Sequence, residues 1–248
     1  MEKLLSIRNL KKNYHTLTSE IEAVKDFSYD FYDKEFISIV GPSGCGKSTI
    51  LSIIAGIDTK SNGIISSKNN LILSYMLQND ALFEWLSVLD NCLVGLKVKG
   101  DLNIDSKAYV IKLLKTYGLE DFIDKYPNSL SGGMRQRVAL IRTLAIKPDI
   151  LLLDEPMSAL DYQSRLAISE DIYNIIKKEG KTAIMVTHDI AEAISMSDKV
   201  IVLTNRPSTI KKVYKINFDN KSTPIKNRKS KDFFKYYDKI WSDLDVQI

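Results

Sequence analysis

The stretch from Gly41 to Ser48, GPSGCGKS, fits the pattern G-x-x-x-x-G-K-[ST] of a phosphate-binding loop, or P-loop. Its glycines keep side chains away from backbone N–H groups that would converge on phosphate oxygens. Lys47 would place its charge between the β- and γ-phosphates, and the Ser48 hydroxyl would ligate Mg²⁺. The predicted nucleotide contacts are Gly41, Pro42, Ser43, Gly44, Cys45, Gly46, Lys47, Ser48 and Thr49.

The residues on either side of the P-loop support this interpretation. Phe36–Val40 is a short apolar, β-branched run of the kind found in buried strands. Residues 49–55 continue as a helix, whose positive N-terminal end would face the anion. A glycine turn could match the pattern by chance, but a strand before it and a helix after it favour nucleotide binding.

Composition is typical of a soluble globular protein. The 248 residues are 44% hydrophobic and 27% charged. No apolar run is long enough to span a bilayer and the N-terminus has no signal-peptide core, so we expect a cytosolic chain. The net charge is +4, and residues 211–248 hold 10 basic against 5 acidic residues. A nucleic-acid binder would more often carry its basic excess on the folded body, so no nucleic-acid partner is expected. A basic tail is a solvated surface or lies near anionic lipid.

The two cysteines, Cys45 and Cys92, do not form a disulfide framework. Cys45 lies at the start of a predicted helix, where the pKa of a thiol tends to fall. The simpler interpretation is a small space-filling residue. The alternative hypothesis is that Cys45 is a site of thiol inhibition.

Strand-like and helix-like segments alternate after the P-loop, which predicts an α/β fold with a parallel sheet. Apolar runs at 150–153, 182–186 and 199–203 are typical of strands buried on both faces. Helical patterns cover 105–118, with Asp105 or Ser106 as the N-cap, then 130–147 and 163–178. Before the P-loop, residues 5–10 and 23–31 alternate as strands, and the polar residues 11–15 predict a connection that exposes Tyr14.

Several residues outside the P-loop have two interpretations. The Tyr14 ring either covers an edge of the core or stacks on a purine base, and the sequence favours neither. Gln78 follows a predicted strand and matters only if that strand's end faces the nucleotide. Residues 82–86, LFEWL, are either core or an exposed docking surface.

Polar groups follow three predicted strands at the points where they end: the P-loop, the pair Asp154 and Glu155, and His188. In open α/β sheets ligands bind beyond the carboxyl ends of the strands, so these groups should meet on one rim. Asp154 would hold Mg²⁺ and Glu155 would polarise the attacking water. His188 would hydrogen-bond the γ-phosphate and the water, the alternative being a histidine satisfied within the core.

Ser131, Gly132 and Gly133 begin another predicted helix and form a second N-terminus suited to an anion. The chain nevertheless has a single P-loop. The simplest arrangement lets this second N-terminus serve the triphosphate held by another copy. The sequence therefore predicts a head-to-tail homodimer closed by ATP.

In order along the chain, these motifs resemble those of the ATP-binding subunits of ABC transporters over roughly residues 4–210. Tyr14 is similar to the A-loop aromatic, GPSGCGKS to Walker A and Gln78 to the Q-loop. LSGGMRQR at 130–137 resembles the family signature, with Met134 where Gln is frequent. ILLLDEP at 150–156 resembles Walker B with the catalytic glutamate, SALD at 158–161 the D-loop, and His188 the switch histidine.

This resemblance implies a P-loop NTPase fold of the ABC ATPase type: α/β, with a mostly parallel core sheet, an antiparallel β subdomain and an inserted helical subdomain. The implied ATPase domain covers 4–216, with its core at 1–80 and 148–216, the helical subdomain at about 86–147 and a basic C-terminal extension at 217–248. The implied catalytic residues are Glu155, His188 and Gln78; the Mg²⁺ ligands are Ser48, Gln78 and Asp154; Tyr14, Ser131, Gly132, Gly133 and Asp161 join the P-loop in binding ATP.

The implied function is a motor in which two copies sandwich two ATP molecules. Hydrolysis would drive integral membrane permease subunits at the cytoplasmic face of the cell membrane, through a groove near Phe83 and Trp85. Residues 76–85 and 205–210 are similar to importers of nitrate, sulfonate, taurine and thiamine precursors, which work with a substrate-binding protein. The alternatives are an ABC exporter ATPase and a soluble ABC ATPase acting on nucleic acid. The compact segment between the P-loop and residue 130 has no heptad run, which disfavours the nucleic-acid class.

Overall fold

Nine strands and eight α-helices make up the part of the chain that the computed structural model describes, residues 1–15 and 19–244. The strands are β1 Lys3–His15, β2 Glu20–Tyr32, β3 Phe36–Val40, β4 Asn62–Ser67, β5 Leu73–Met76, β6 Ile150–Asp154, β7 Thr182–Val186, β8 Lys199–Leu203 and β9 Ser208–Lys215. The helices are α1 Lys47–Ile54, α2 Val88–Lys99, α3 Ile104–Thr116, α4 Gly132–Leu144, α5 Tyr162–Lys178, α6 Ile190–Met196, α7 Pro224–Asn227 and α8 Lys231–Asp243. Residues 245–248 of the predicted extension lie outside the described residues.

The described strands join in the order β4-β1-β2-β9-β8-β3-β7-β6-β5. From β8 to β5 every neighbouring pair is parallel. At the other end β1 is antiparallel to both β2 and β4, and β9 is antiparallel to β8. The parallel core sheet that the sequence pattern predicted is therefore present, together with the antiparallel region that the family resemblance implied.

The central strands are buried because both of their faces pack against apolar layers. Along β6, Leu151 and Leu153 pack in the layer that contains α2 to α5, whereas Leu152 packs with α1 and the antiparallel strands. This alternation holds the parallel strands in register, because a slip of one residue would send each side chain to the other layer. Because β3, β7 and β6 are neighbours, the three predicted polar strand ends lie side by side, which confirms the predicted rim.

Helices α2, α3 and α4 lie between β5 and β6 in the chain. The Asn91 side chain, fully buried near the start of α2, anchors the preceding loop, because its amide donates to the carbonyl oxygens of Phe83, Leu86 and Ser87. The division into a core, a helical subdomain at about 86–147 and an extension after 216 stays a proposal.

Three local predictions were wrong. Tyr14 lies within β1 and not in a connection, because the β1–β2 pairing continues to His15 and Glu20 and overrides the polar composition. Helix α3 is capped by Asn103, not by Asp105 or Ser106; Asn103 accepts from the backbone of Ser106 in a capping box. Helix α4 ends at Leu144 and not at residue 147, where Lys147 has a φ of 51°.

The extension after β9 packs onto the domain. Phe233 and Ile240 of α8 are buried in a cluster with α6 and β8. The Asn227 amide donates to the carbonyl oxygen of Ser195 at 2.8 Å, and Ile225 N–H donates to Glu170 on α5 at 3.0 Å. Packing is therefore one role of the extension.

Candidate nucleotide site

The P-loop connects β3 to the first turn of α1, and Gly46 within it has a backbone conformation that no other residue adopts readily. Gly46 caps α1 with a φ of +105°, and a Cβ there would lie 3.2 Å from the carbonyl oxygen of Ala23. The Lys47 ammonium is held over the loop by the carbonyl oxygens of Gly41 at 2.9 Å and Pro42 at 3.1 Å. A helix N-terminus and a lysine charge therefore face the same space, which suits a polyphosphate.

A cleft of about 550 Å³ opens above the P-loop and is called the P-loop cleft below. Its walls combine polar and apolar groups from both the parallel and antiparallel parts of the sheet. The lining residues are Tyr14, Ile21, Ala23, Ser43, Gly44, Gly46, Lys47, Ser48, Thr49, Glu155, His188 and Arg206. The structure thus brings most of the predicted P-loop contacts together with Tyr14, Glu155 and His188. Gly41, Pro42 and Cys45 belong to the loop but are not among the lining residues.

Tyr14 forms one wall of the P-loop cleft and is 39% exposed. Its hydroxyl donates to Asp58 Oδ2 at 2.8 Å, and the Lys12 ammonium lies 4.6 Å from the ring centroid. These contacts hold the ring in place against the sheet. An exposed, fixed aromatic ring at the edge of the cleft is suited to stacking on a base.

Side-chain oxygen atoms that could ligate a metal ion meet at the N-terminus of α1. Ser48 Oγ donates to Asp154 Oδ1 at 2.8 Å, and the Tyr75 hydroxyl donates to Asp154 Oδ2 at 2.7 Å. Burial, followed by the Asp154 carboxylate, raises the pKa of Tyr75, so this hydroxyl stays protonated. A hydroxyl and a carboxylate side by side are ligands that Mg²⁺ accepts, so Ser48 and Asp154 fit that ion. The Gln78 amide instead donates to Glu155 Oε2 at 3.3 Å and to Ser158 Oγ at 3.4 Å.

Three predicted catalytic side chains meet at one carboxylate oxygen. Glu155 Oε2 lies 3.1 Å from His188 Nδ1 and 3.3 Å from Gln78 Nε2. The Glu155 backbone has a φ of 44°, and its N–H donates to the carbonyl oxygen of Val186 at 2.9 Å. This unusual φ, held by β7, aims the carboxylate at the P-loop cleft, which it lines. A carboxylate so placed can accept a proton from, or orient, a water molecule.

The other predicted ligands lie around a second cleft of about 380 Å³, called the Ser131 cleft. Ser131 caps α4. The glycine that begins this helix lets it pack closely on Leu160, because a Cβ on Gly132 would lie only 3.2 Å from the Leu160 side chain. Asp161 caps α5, accepting from Gln163 and Ser164, and the Ser164 side chain followed by backbone donors lowers the pKa of Asp161. The Ser131 and P-loop clefts share no lining residue.

Cys45 is buried, and its surroundings differ from those predicted. Burial raises the pKa of the Cys45 thiol, outweighing the nearby Lys47 charge. A Cβ on Gly41 would lie only 2.8 Å from Cys45 Sγ, so the thiol fills space beneath the loop. The expected fall in thiol pKa at a helix start is therefore wrong for this residue.

Two residues of the site, Arg206 and Tyr75, were not predicted from the sequence. Arg206, on the β8–β9 loop, lines the P-loop cleft, as do Ile21 and Ala23 of β2. Tyr75 lies on β5, three residues before Gln78, and orients Asp154. No spacing rule marks either residue, because the β8–β9 loop and β5 reach the site only through the sheet order.

Comparison with known proteins identifies the family. A family model described as ABC transporter matches residues 24–158. An uncharacterised ABC transporter ATP-binding protein, YtlC of Bacillus subtilis, is 42% identical over 97% of this chain and 95% of its own length. The nitrate import ATP-binding protein NrtD of Synechocystis is 36% identical over 97% of this chain and 94% of its own. The taurine import ATP-binding protein TauB of Jannaschia is 39% identical over 86% and 82%.

A solved structure agrees with the sequence relatives. A dimeric ATP-binding cassette in a post-hydrolysis state, bound to ADP and Pi, has a TM-score of 0.72 and 30% identity, covering 87% of this chain and 100% of the other. The fold, the P-loop cleft and these likenesses agree: the chain belongs to the ABC transporter family, as an ATP-binding subunit that hydrolyses ATP.

Proposed function

We propose that this chain is the ATP-hydrolysing subunit of an ABC importer for a small solute such as nitrate, sulfonate, taurine or a thiamine precursor. It works as a dimer that sandwiches two ATP molecules and drives integral membrane permease subunits at the cytoplasmic face of the membrane. Among the described residues, no helix is both long and apolar enough to cross a bilayer. Relatives named for nitrate and taurine import support the import direction over the exporter alternative.

The observation that carries the dimer is the separation of the two clefts. Lys47 and Glu155 line one, whereas Ser131 and Asp161 line the other. In a head-to-tail pair, the P-loop of one copy faces the Ser131 cleft of its twin. A helix N-terminus capped by a serine then adds donors to the γ-phosphate. Each composite site therefore takes residues from both copies.

Within that site each residue has a distinct role. The P-loop and Lys47 bind the phosphates, and Tyr14 stacks on the base. Ser48, Asp154 and Gln78 would hold Mg²⁺, which would neutralise charge on the transferred phosphoryl group. Glu155 orients the attacking water and His188 hydrogen-bonds the γ-phosphate.

The composite site is tested by complementation between variants. Both partners carry Glu155→Gln to slow hydrolysis; one also carries Lys47→Ala and the other Ser131→Arg. In a head-to-tail pair, mixing restores one intact site, made of the P-loop of the second variant and the Ser131 cleft of the first. We expect each variant alone to stay monomeric with ATP and Mg²⁺, and the mixture to form a dimer on sedimentation. A mixture that stays monomeric, while Glu155→Gln alone dimerises, would contradict the shared site.

The permease contact is proposed at an apolar groove of about 420 Å³ beside the Gln78 loop, lined in part by Leu77, Phe83 and Ile146. The sequence expectation placed both Phe83 and Trp85 in this groove. Phe83 lines it, whereas Trp85 is 74% exposed outside it and contacts the Phe83 ring at 5.2 Å between centroids. An apolar groove with an exposed aromatic rim is suited to a short helix of a membrane subunit.

Import is tested in vesicles that hold this chain with its membrane subunits and binding protein. Nitrate, taurine, an alkyl sulfonate and a pyrimidine thiamine precursor are supplied outside, with ATP inside. We expect uptake of one of these solutes, lost with Glu155→Gln. ATP-dependent loss of a preloaded solute would instead support the exporter alternative. Phe83→Ser should reduce uptake and leave the ATPase activity of the free subunit unchanged.

A further inference from the structure

A buried carboxylate lies behind the rim that carries His188. Glu192, in the first turn of α6, is 3% exposed. Its Oε2 accepts a hydrogen bond from Thr187 Oγ1 at 2.9 Å. Thr187 Oγ1 in turn accepts a hydrogen bond from the backbone N–H of Asp189 at 3.0 Å. Glu192 therefore fixes the residues on both sides of His188.

Arg165 on α5 connects this carboxylate to the loop that ends in Asp161. Its Nη2 donates to the carbonyl oxygen of Leu160 at 3.1 Å, and its Nε lies 3.7 Å from Glu192 Oε1. Its Nη1 lies 3.6 Å from Asp189 Oδ2. The Nε group is buried without a hydrogen-bond partner among the described residues, so the ion pair with Glu192 compensates its charge.

We propose that Glu192 and Arg165 are positioning residues for ATP hydrolysis, which together hold the Asp161 loop and the strand end of His188 in one arrangement. The proposal rests on the roles given above to Asp161 and His188. Neither Glu192 nor Arg165 lines the P-loop cleft or the Ser131 cleft. They therefore act through those two residues and not on the nucleotide.

The charge of Glu192 sets the strength of this link. Besides Arg165, it faces Asp189 at the start of its own helix, Thr187 at the strand end, and Arg228 after α7. Burial, followed by the Asp189 carboxylate, raises the pKa of Glu192 to about 7, against the opposing effects of the hydroxyl and the two arginines. Ionised Glu192 attracts Arg165, and protonated Glu192 does not. The link therefore tightens as the pH rises through about 7.

The test compares wild type with Glu192→Gln, which keeps the size of the protonated acid and cannot ionise. The measured quantity is the kcat of wild type divided by the kcat of Glu192→Gln, because the titration of all other groups cancels in this ratio. We expect a ratio near 1 at pH 6 that rises several-fold by pH 8.5, with KM for ATP unchanged. The matched control is Glu2→Gln, in an exposed ion pair with Lys68, whose ratio should stay near 1 throughout. A ratio that does not vary with pH would overturn the proposal.

Two further measurements test the link beyond Glu192→Gln alone; the second uses only the wild type, so it holds even if that variant folds poorly. Combining it with Arg165→Lys should lower kcat at pH 8.5 no further than the worse single variant, because both break one link. In the wild type, amides 158–161 should exchange hydrogen more slowly at pH 8 than at pH 6 after correction for intrinsic rates. Equal protection, or additive losses, would count against the link. Wild type without ATPase activity would instead refute the proposed function itself.

Discussion

At the scale of single residues, Arg206 is the contact that we expect to change ATP binding without changing the chemistry. It lines the P-loop cleft, and its charge attracts a polyphosphate. An exposed charge contact is worth about 0.5–1 kcal/mol, so Arg206→Ala should raise KM for ATP roughly two- to five-fold and leave kcat unchanged.

Steady-state kinetics at low and high salt measures this effect. Arg206→Lys, which keeps the charge, should recover most of the affinity at low salt, and the difference between wild type and Arg206→Ala should shrink as salt screens the contact. A fall in kcat with KM unchanged would show that Arg206 acts on the chemical step.

Glu192 also gives the folded state a pH dependence whose sign follows from its surroundings. Its pKa is raised from 4.5 to about 7 on folding, so the folded state holds this proton more tightly than the unfolded chain. This proton contributes on the order of 3 kcal/mol to the free energy of unfolding. The contribution is fully present below about pH 4.5 and is lost as the pH rises through about 7. Chemical denaturation at pH 5 and 8 measures it: the loss between these pH values should be smaller in Glu192→Gln. An identical loss in both proteins would contradict the assignment.

At the scale of elements, the contact between β1 and β4 depends on a glycine. Gly63 has a φ of +99°, and a Cβ there would lie 2.5 Å from the carbonyl oxygen of Asn9 and 2.7 Å from Leu10 Cα. Both obstacles are backbone atoms, so Gly63→Ala must shift a strand and should cost about 2–4 kcal/mol. Gly56→Ala is the matched control, because Gly56 has a φ of +74° with no atom within 4 Å of its Cβ position.

Thermal and chemical unfolding compare the two glycine variants. Gly56→Ala should lose only the cost of the left-handed conformation, about 1–2 kcal/mol. The extra loss in Gly63→Ala measures the clash. Equal losses would mean that the strand edge yields freely.

Elements with a local sequence signal were predicted correctly, whereas segments that become strand only by pairing with a distant strand were not. The apolar runs that became β3, β6 and β7 need only their own residues to be recognised, and their sheet order then brought Glu155 and His188 together. Tyr14 was misassigned because the polar residues before it become strand only by pairing with β2. Asn103 was overlooked as a cap because several residues near it have suitable side chains. Arg206 reaches the cleft from a loop whose position no local rule gives.

At the scale of the whole molecule, α8 attaches the C-terminal extension to the domain by one face only. Ile240 is fully buried against the core, whereas Phe234 is 61% exposed. Ile240→Ala should therefore lower the free energy of unfolding by about 2–5 kcal/mol, and Phe234→Ala should leave it within about 0.5 kcal/mol. Denaturant titration of both variants is the measurement. If Phe234→Ala were equally destabilising, its side chain would have to be buried in an assembly.

Both cysteines of the chain are shielded. Cys45 is 1% exposed and Cys92 is fully buried, and burial raises the pKa of each thiol. Maleimide dyes and spin labels react with accessible thiolates, so we expect little background labelling of the native protein. A single cysteine introduced at the exposed Tyr162, beside Asp161, can be labelled without removing either native thiol. Distances between two such probes would then follow the opening and closing of the proposed pair of subunits in real time.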